Sequence, residues 1–477
     1  MDQSVTERIA ERCAALSYTD LAPLDVDAAK RCILDYLAAA TAGYRINEPF
    51  NHALYRIASM GQDRPESTVL MYGAQLSSAD AAFMNGALAH GADMDDGYRT
   101  AQGHPGACVL PAVLALAQTN GAKGRDVLTA IAVGYEMYAR LGTAINPYHA
   151  RCGFHTTGTV GTVAAAAAAA KILHMDAQKT LNSICLGCMQ AAGLLEVVEH
   201  GQQAKPLNTA RAAQAGVMSA LWAQAGAVAP ETALDGNQGF LNAFSENRAQ
   251  AIRDLSAFGD PLLVSNGYFK PYPSCRHTHG AIDLAIALRS ENEFSIENIE
   301  SVTVFLYGHG IRVTGNIVEP RNAEEAKFCL RYTIGVALAC GSFSLQHLDV
   351  ENTLTPQIRR LMKLVQIERD DVLEDKQLGI RGARIRISMK NGHVFEDRVM
   401  RPRGENPNPL TWEELTAKLS ECAGRRLTSE QQRHIVSLVR EMEQLQVIDP
   451  LLAWMKDSEI DESKRSVPDA DKRKSLR

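Results

Sequence analysis

The sequence predicts a mainly α fold: a large all-helical bundle domain with a smaller α+β lid domain inserted into it. From residue 4 to about residue 228, apolar residues recur at helical spacing in one segment after another. After about residue 266 the pattern changes to strand-like alternation, and from residue 405 it returns to helix. Because the last helical stretch is too short for a core of its own, we expect it to pack against the first.

The helical segments carry their own start and stop signals. VDAAKRCILDYLAAATAG is predicted to end at Gly43, and SSADAAFMNGALAHGA begins with serines suited to an N-cap. The seven alanines of 164–170 leave no polar face, which predicts a helix buried between close neighbours. Thr411 followed by Glu414 predicts a capping box at the start of a C-terminal helix.

The segment 267–404 has the pattern of an α+β domain. IESVTVFLYG (299–308) alternates like a strand, and 382–400 reads as a hairpin with Asn391-Gly392 at its turn. The sequence between them, AEEAKFCLRYTIGVALACGSF, predicts a helix. The helical domain would then comprise 1–266, completed by 405–460, with 461–477 as a charged, disordered tail.

Composition limits the classes of function. The 477 residues are 46% hydrophobic and 22% charged, which is ordinary for a soluble globular enzyme. A net charge of −6 argues against nucleic acid as a partner, and no apolar run reaches the ~20 residues of a membrane span. The ten cysteines lack a disulfide spacing, so we expect reduced thiols and a cytoplasmic location. Cys185 and Cys188 form a C-x-x-C that we interpret as buried helix cysteines, because no second pair follows.

An acidic stretch, HGADMDDGYRTAQGH, interrupts this apolar pattern. It places His90, Asp93, Asp95, Asp96 and His104 within fifteen residues. Buried carboxylates and imidazoles cost several kcal/mol unless they are paired, so the cluster indicates a metal site, a catalytic site or a wet loop. On a continuing helix, residues 90, 93 and 96 would form one ridge. The alternative is structural, with the aspartates as helix caps and salt-bridge partners.

Two further segments place polar residues before predicted helices. RCGFHTTGTVGT puts His155 at the start of the polyalanine helix, where backbone N–H groups, Thr156 and Thr157 could bind an anion. Lys205 lies in a polar loop just before Pro206, which is predicted to begin another helix. A cation and a helix N-terminus at the edge of the core both suit an acidic ligand.

The segment KPYPSCRHTHGAID packs four reactive side chains together at the joint of the two predicted domains: Cys275, Arg276, His277 and His279. The histidines could be a metal pair, although no further donor follows at usable spacing. They could equally give positive charge to a carboxylate. Clefts between domains are where small ligands tend to bind.

Together these segments resemble the MmgE/PrpD family over almost the whole chain. The resemblance is carried by CILDYLAAATAG, NGALAHGADMDDG, HPGACVLPA, GFHTTGTVGTVAAA, QQAKPLNTARAAQAG, KPYPSCRHTHGAIDLA, AKFCLRYTIGVAL and RPRGENPNPLTWEEL. It implies a helical domain with an α+β lid, a homodimer, and no metal or other cofactor. The family includes 2-methylcitrate dehydratases, cis-aconitate decarboxylases and iminodisuccinate epimerases.

The resemblance also implies a set of catalytic residues: Asp93, His104, His155, Lys205 and His279. Substrate binding is expected to involve Thr156, Cys275, Arg276 and His277. Lys205 and His155, together with Arg276 or His279, would neutralise carboxylates. His104 would carry the proton, and Asp93 would orient the imidazole of His104 or act as its partner acid or base. Where the decarboxylases tend to have threonine, this chain has Gly97.

These expectations lead to a cofactor-independent lyase, either a hydro-lyase or a carboxy-lyase. It would transfer a proton next to a carboxylate of a small di- or tricarboxylate. Three alternatives stay open: an epimerase of an iminodisuccinate-like substrate, a non-catalytic carboxylate-binding protein, and a metal-dependent hydratase.

Overall fold

The computed structural model describes residues 3–61, 64–199, 203–375 and 378–459. Its α-helices have the following bounds: α1 Val5–Ala15, α2 Pro23–Ile46, α3 Glu48–Ala58, α4 Ser78–His90, α5 Gly106–Thr119, α6 Gly124–Ile145, α7 Tyr148–Arg151, α8 Thr156–Ile172, α9 Ala177–Gln190, α10 Glu196–Glu199, α11 Pro206–Gln224, α12 Phe240–Phe244, α13 Arg248–Leu255, α14 Arg276–Glu291, α15 Gly308–Thr314, α16 Ala323–Phe328, α17 Leu330–Cys340, α18 Val350–Thr353, α19 Pro356–Leu364, α20 Trp412–Ala423, α21 Ser429–Arg440 and α22 Asp449–Ala453. The strands are β1 Ser67–Val69, β2 Ala74–Leu76, β3 Ile299–Leu306, β4 Val365–Arg369, β5 Glu374–Asp375, β6 Ile380–Arg381, β7 Ala383–Met389 and β8 Val394–Val399.

The predicted mainly α fold is confirmed: the chain is 59% helical with only small sheets. Helix α8 lies at the centre of the bundle and packs against α5, α6, α9 and α11. Its alanines 164–170 are completely buried. Small side chains let these five helices approach closely, and the uniform burial explains why α8 has no polar face.

Two predicted helix starts are confirmed and one predicted end is wrong. Ser77 caps α4, and Thr411 forms a capping box with Glu414 at the start of α20. Helix α2, however, continues past Gly43 to Ile46. Gly43 instead allows α2 and α4 to pack closely, because a Cβ on it would lie 1.8 Å from the carbonyl oxygen of Leu88 in α4.

The predicted strand and hairpin belong to a four-stranded sheet of order β4-β3-β7-β8. Strand β3 is parallel to β4 and antiparallel to β7, and β7 continues through the predicted turn into β8. Val302 pairs with Ile387 and Val304 with Ile385, and all four side chains are buried. The helix predicted before the hairpin is interrupted at Cys329, which separates α16 from α17.

The C-terminal helices α20 and α21 pack against α2 in the N-terminal bundle, while α14 lies against β7 and β8. The exact domain boundaries stay a prediction, and the predicted tail 461–477 lies outside the described residues. All ten cysteines are free, and Cys185 and Cys188 are buried in α9. Within the described ranges, no helix combines the length and apolar character needed to cross a membrane.

Candidate active site

The predicted polar segments place their reactive residues at the N-termini of four helices. His155, Lys205 and Cys275 are the N-cap residues of α8, α11 and α14, and His104 directly precedes Pro105, the N-cap of α5. The first turn of a helix carries unpaired N–H groups and a partial positive charge. The fold therefore presents these side chains together with backbone dipoles that favour an anion.

The acidic stretch forms a loop and not the helical ridge that the spacing allowed. Helix α4 ends at His90, and Asp93 has a left-handed backbone with φ of 54°. We call residues 91–97 the acid loop. Because its backbone leaves the helical path at Asp93, the side chains of residues 93, 95 and 96 point to different partners.

Buried ammonium groups hold the acid loop in place. Lys327, Lys270 and Lys418 come from three distant parts of the chain and donate to carbonyl oxygens of Gly91 (3.2 Å), Asp93 (2.8 Å) and Met94 (2.6 Å), respectively. All three lysine side chains are buried. The conformation of the acid loop, which lies between α4 and α5, thus depends on three lysines from later parts of the chain.

Asp93 binds two lysines at once. Its Oδ1 lies 2.6 Å from Nζ of Lys205 and 3.2 Å from Nζ of Lys270. The other two loop lysines have carboxylates of their own, in Glu324 for Lys327 and Asp35 for Lys418. Asp93 therefore joins the ammonium groups of Lys205 and Lys270, and the carboxyl of Asp95 is a second acidic group that acts on both lysines.

This environment keeps Asp93 ionised. Burial by itself would raise the pKa of its carboxyl, but Lys205 and Lys270 outweigh burial and hold the pKa well below 3.8. The pKa of Lys205 is raised, because Asp93 outweighs the burial that would lower it. Asp93 is therefore a fixed counterion near neutral pH, and the acid or base role considered for it from the sequence does not fit these surroundings.

Asp96 has the opposite environment. Its Oδ2 accepts a hydrogen bond from the hydroxyl of Tyr135 (2.6 Å), and its Oδ1 accepts one from the N–H of Gly106 at the start of α5 (2.9 Å). Burial, together with the nearby Asp35, raises its pKa to about 8. This residue takes the helix-capping role that the sequence left open for the aspartates.

His104 is oriented as a neutral base. Its Nδ1–H donates to the carbonyl oxygen of Asp96 (2.6 Å), and Oδ2 of Asp95 lies 3.4 Å from the same nitrogen. Since both neighbours of Nδ1 are acceptors, Nε2 carries the lone pair. Burial holds the pKa of His104 well below 6.5. The ring is thus oriented by Asp95 and Asp96, and not by Asp93 as considered from the sequence.

His90 lies between the other two histidines of the site. Its ring centroid is 4.7 Å from that of His104 and 6.1 Å from that of His155. Its Nδ1–H donates to Oδ2 of Asp95 (2.8 Å), while its buried Nε2 has no hydrogen-bond partner among the described residues. His90 therefore offers a second imidazole lone pair beside His104.

His155 is oriented as a hydrogen-bond donor. The amide nitrogen of Asn208 faces the carbonyl oxygen of Leu194 (3.3 Å) and donates to Nδ1 of His155 (2.9 Å). The proton of the neutral ring then lies on Nε2. Burial and the charge of Lys205 hold the pKa of His155 well below 6.5. It suits a neutral donor better than the carboxylate-neutralising cation expected from the sequence.

Arg276 and His279 form a separate buried network next to this cluster. Nδ1 of His279 accepts from Arg276 (3.0 Å), and its Nε2–H donates to the carbonyl oxygen of Ser274 (3.2 Å). Arg276 also binds Glu405 at 3.0 Å. Both ring nitrogens of His279 are therefore engaged within the protein, so its geometry favours positioning the 270–279 segment, and a catalytic role stays a prediction.

The remaining predicted residues lie around the cluster. His277 bonds through Nδ1 to the hydroxyl of Tyr307 in the α+β part. The hydroxyl of Thr156 faces Asn146 (3.2 Å) and not the acid loop. Cys275 is buried, and burial raises the pKa of its thiol. Their substrate-binding roles stay predictions.

The structure thus brings together four of the predicted catalytic residues: Asp93, His104, His155 and Lys205. Sequence reasoning missed Lys270, although this lysine opens the quoted segment KPYPSC and its position before two prolines is a usable signal. It noted His90 without assigning it to the site. Asn208, which orients His155, had no signal in the sequence.

A metal site is geometrically possible at His90, Asp95 and His104, whose ligand atoms lie within 4.8 Å of one another. Two features disfavour a cation there. The imidazole Nδ1 atoms already donate protons to oxygen, and Lys205 and Lys270 place positive charge nearby. The donor set fits proton transfer better than metal binding.

The chain is similar to known proteins over most of its length. The family model of the MmgE/PrpD N-terminal domain matches residues 7–252, and that of the C-terminal domain matches residues 272–444. Cis-aconitate decarboxylase of Homo sapiens is 26% identical over 469 residues, which cover 96% of this chain and 95% of that protein. Those of Aspergillus terreus and Mus musculus are also 26% identical, over 475 and 472 residues, covering 94% and 96% of this chain and 95% and 94% of those proteins. With both domain models matched in order over most of its length, the chain belongs to the MmgE/PrpD family.

Proposed function

We propose that this protein is a cofactor-independent lyase that removes water or carbon dioxide from a small di- or tricarboxylate. The observation that carries the proposal is the pair Lys205 and Lys270 sharing the single carboxylate of Asp93, with neutral imidazoles alongside. The names of the family relatives, which are cis-aconitate decarboxylases, support a lyase of this substrate class.

The chemistry follows from these charges. A substrate carboxylate binds the ammonium groups of Lys205 and Lys270 and the positive ends of α5, α8 and α11. In a dehydration, His104 removes a proton next to that carboxylate through the lone pair of Nε2, and the imidazolium so formed gives this proton to the leaving hydroxyl group, which departs as water. In a decarboxylation, carbon dioxide leaves and the carbanion takes its proton from His104 in the imidazolium form. His155, with its proton on Nε2, donates a hydrogen bond to a substrate oxygen. Lys205 and Lys270 stabilise the enolate-like charge that develops in between. Burial strengthens each contact, since little water screens it.

An epimerase is the second candidate, because removal of a proton next to a carboxylate and stabilisation of the enolate-like charge are also the first step of an epimerisation. A non-catalytic carboxylate-binding protein would keep the lysines without the chemistry. The proposal includes a homodimer. It also includes a cytoplasmic location, which the ten free thiols support.

The test is a substrate panel in D₂O followed by NMR, with cis-aconitate, 2-methylcitrate and iminodisuccinate as separate substrates. A lyase gives a product that has lost water or carbon dioxide. Deuterium uptake without net product would identify an epimerase, and binding without either would identify a non-catalytic protein. Activity that survives exhaustive chelation, with no metal found by elemental analysis, would eliminate the metal-dependent hydratase.

The roles of individual residues are tested by His104→Gln and Lys205→Met, which we expect to lower kcat/KM by about 10²–10⁴-fold. Matched controls are His347→Gln and Lys171→Met. His347 is buried beside Ser344, and Lys171 binds the carbonyl oxygen of Ala14 at the far end of α8. Full activity in both site variants, with the controls unchanged, would contradict the assignment.

A further inference from the structure

Gly97, at the end of the acid loop, pairs with Tyr268 through a short antiparallel bridge. The N–H of Gly97 donates to the carbonyl oxygen of Tyr268, and the N–H of Tyr268 donates to that of Gly97, both at 2.9 Å. Tyr268 precedes Lys270 by two residues, and the side chains of both contact the acid loop. The pair therefore lies next to the lysines that bind Asp93.

The ring of Tyr268 occupies the space that a side chain at position 97 would need. A Cβ built on Gly97 would lie 2.3 Å from both Cζ and Oη of Tyr268. The backbone φ of Gly97 is not in the left-handed region. This position therefore requires glycine because of the tyrosine, and not because of its own conformation.

Neighbouring side chains restrict the movement of the Tyr268 ring. Two guanidinium groups lie against its ring, with Arg99 at 4.9 Å and Arg276 at 4.7 Å from the ring centroid. Both arginines bind Glu405, and the tyrosine is only 7% exposed. The ion pairs of Arg99 and Arg276 with Glu405 thus hold the two guanidinium groups against the ring and restrict its movement.

We propose that the Tyr268 hydroxyl forms the wall of the substrate pocket where another chain could carry a side chain at position 97. The Gly97–Tyr268 pair then determines which di- or tricarboxylate is accepted. This inference rests on the proposed function. The phenol O–H donates a hydrogen bond to a substrate oxygen, and the ring limits the space beside it, so both the polarity and the size of the substrate are selected at this point.

The first test is Tyr268→Phe, which removes the hydroxyl and keeps the ring. We expect kcat/KM for the best acid of the panel to fall about tenfold through KM, with Tm unchanged. The ratio of kcat/KM between the acids should change by about the same factor, because only acids that accept the hydrogen bond lose it. Tyr332→Phe is the control, since the hydroxyl of Tyr332 donates to the carbonyl oxygen of His347 and not to the acid loop.

The second test exchanges the two side chains. Gly97→Thr alone should lower Tm, because its Cβ clashes with the ring. Adding Tyr268→Ala removes that clash but leaves a cavity, so the double variant should lose less Tm than the two single changes added together. The ratio of kcat/KM between acids should shift once more. If Tyr268→Phe and the double variant both keep the wild-type ratio within about twofold, the pair is only a packing contact and the inference is overturned alone. If the wild type turns over none of the acids, the proposed function fails first and this inference fails with it.

Discussion

Asp93 and Asp96 lie three residues apart on the same buried loop, yet their surroundings act on them in opposite directions. Asp93 faces Lys205 and Lys270, which hold its pKa well below the ordinary range. Asp96 faces a tyrosine hydroxyl and a backbone N–H, and burial raises its pKa to about 8. Both are equally hidden from water, so burial alone does not decide the charge state. The nearest charged neighbours decide it.

The two ends of the acid loop therefore have different roles. The Asp93 end presents the ammonium groups of Lys205 and Lys270 at one carboxylate oxygen, which suits the binding of an acidic ligand. The Asp96 end is structural: it caps α5 and its carbonyl oxygen orients His104. Substitutions at the two ends should therefore separate function from stability.

The largest effect is expected for Asp93→Asn. It removes the carboxylate that binds both Lys205 and Lys270, which should cost about 3–5 kcal/mol of folding free energy. Mutual repulsion should also displace the ammonium groups and lower kcat/KM by about 10²–10³-fold. Urea unfolding and steady-state kinetics measure the two effects. Wild-type turnover in a stably folded variant would contradict the role of Asp93 as the counterion that positions the lysines.

A smaller effect is expected for Lys270→Met, because Asp93 keeps Lys205. The variant loses one of the two ammonium groups at Asp93, so KM for a dicarboxylate should rise about 10–100-fold. Lys171→Met is the matched control, since Lys171 binds the carbonyl oxygen of Ala14 at the far end of α8 and does not contact the acid loop. Kinetics on both variants should show a raised KM only for the first; equal changes in KM would refute the distinction.

The pH dependence of stability should differ between the wild type and Asp96→Asn. With its pKa raised from 3.8 to about 8, folded Asp96 keeps a proton that the unfolded chain has already lost. Its contribution to stability is present below pH 4 and is lost as the pH rises towards 8. Urea unfolding at pH 5, 6, 7 and 8 should therefore show a decline in the wild type that is weaker in Asp96→Asn. Parallel profiles would mean that Asp96 is ionised.

The smallest effect is expected for Tyr135→Phe, which removes the hydroxyl that donates to Asp96 at 2.6 Å. Loss of this hydrogen bond should cost about 1 kcal/mol of folding free energy and raise the pKa of Asp96 further. Turnover should stay within about twofold of the wild type. Thermal unfolding and measurement of kcat check this. A loss of activity as large as that expected for Asp93→Asn would contradict the structural role of the Asp96 end.

Much of the local structure was predictable because it depends on neighbours in sequence. The capping box at Thr411, the hairpin turn at Asn391-Gly392 and the burial of the polyalanine helix each follow from a pattern within a few residues. Gly43 was misassigned as a helix end, since the Leu88 carbonyl that demands it belongs to another helix. The prediction that residues 90, 93 and 96 form one helical ridge was wrong, because the backbone leaves the helical path at Asp93.

The chain by itself determined which residue types could carry chemistry and that most of them precede helices, since capping and helix periodicity act over a few residues. Only the tertiary structure decided their partners. Asp93 binds lysines that follow it by more than a hundred residues, and Tyr268 fills the space beside Gly97. Charge state, tautomer and pocket shape depend on groups within a few ångströms in space, and no local pattern records which distant residues will supply them.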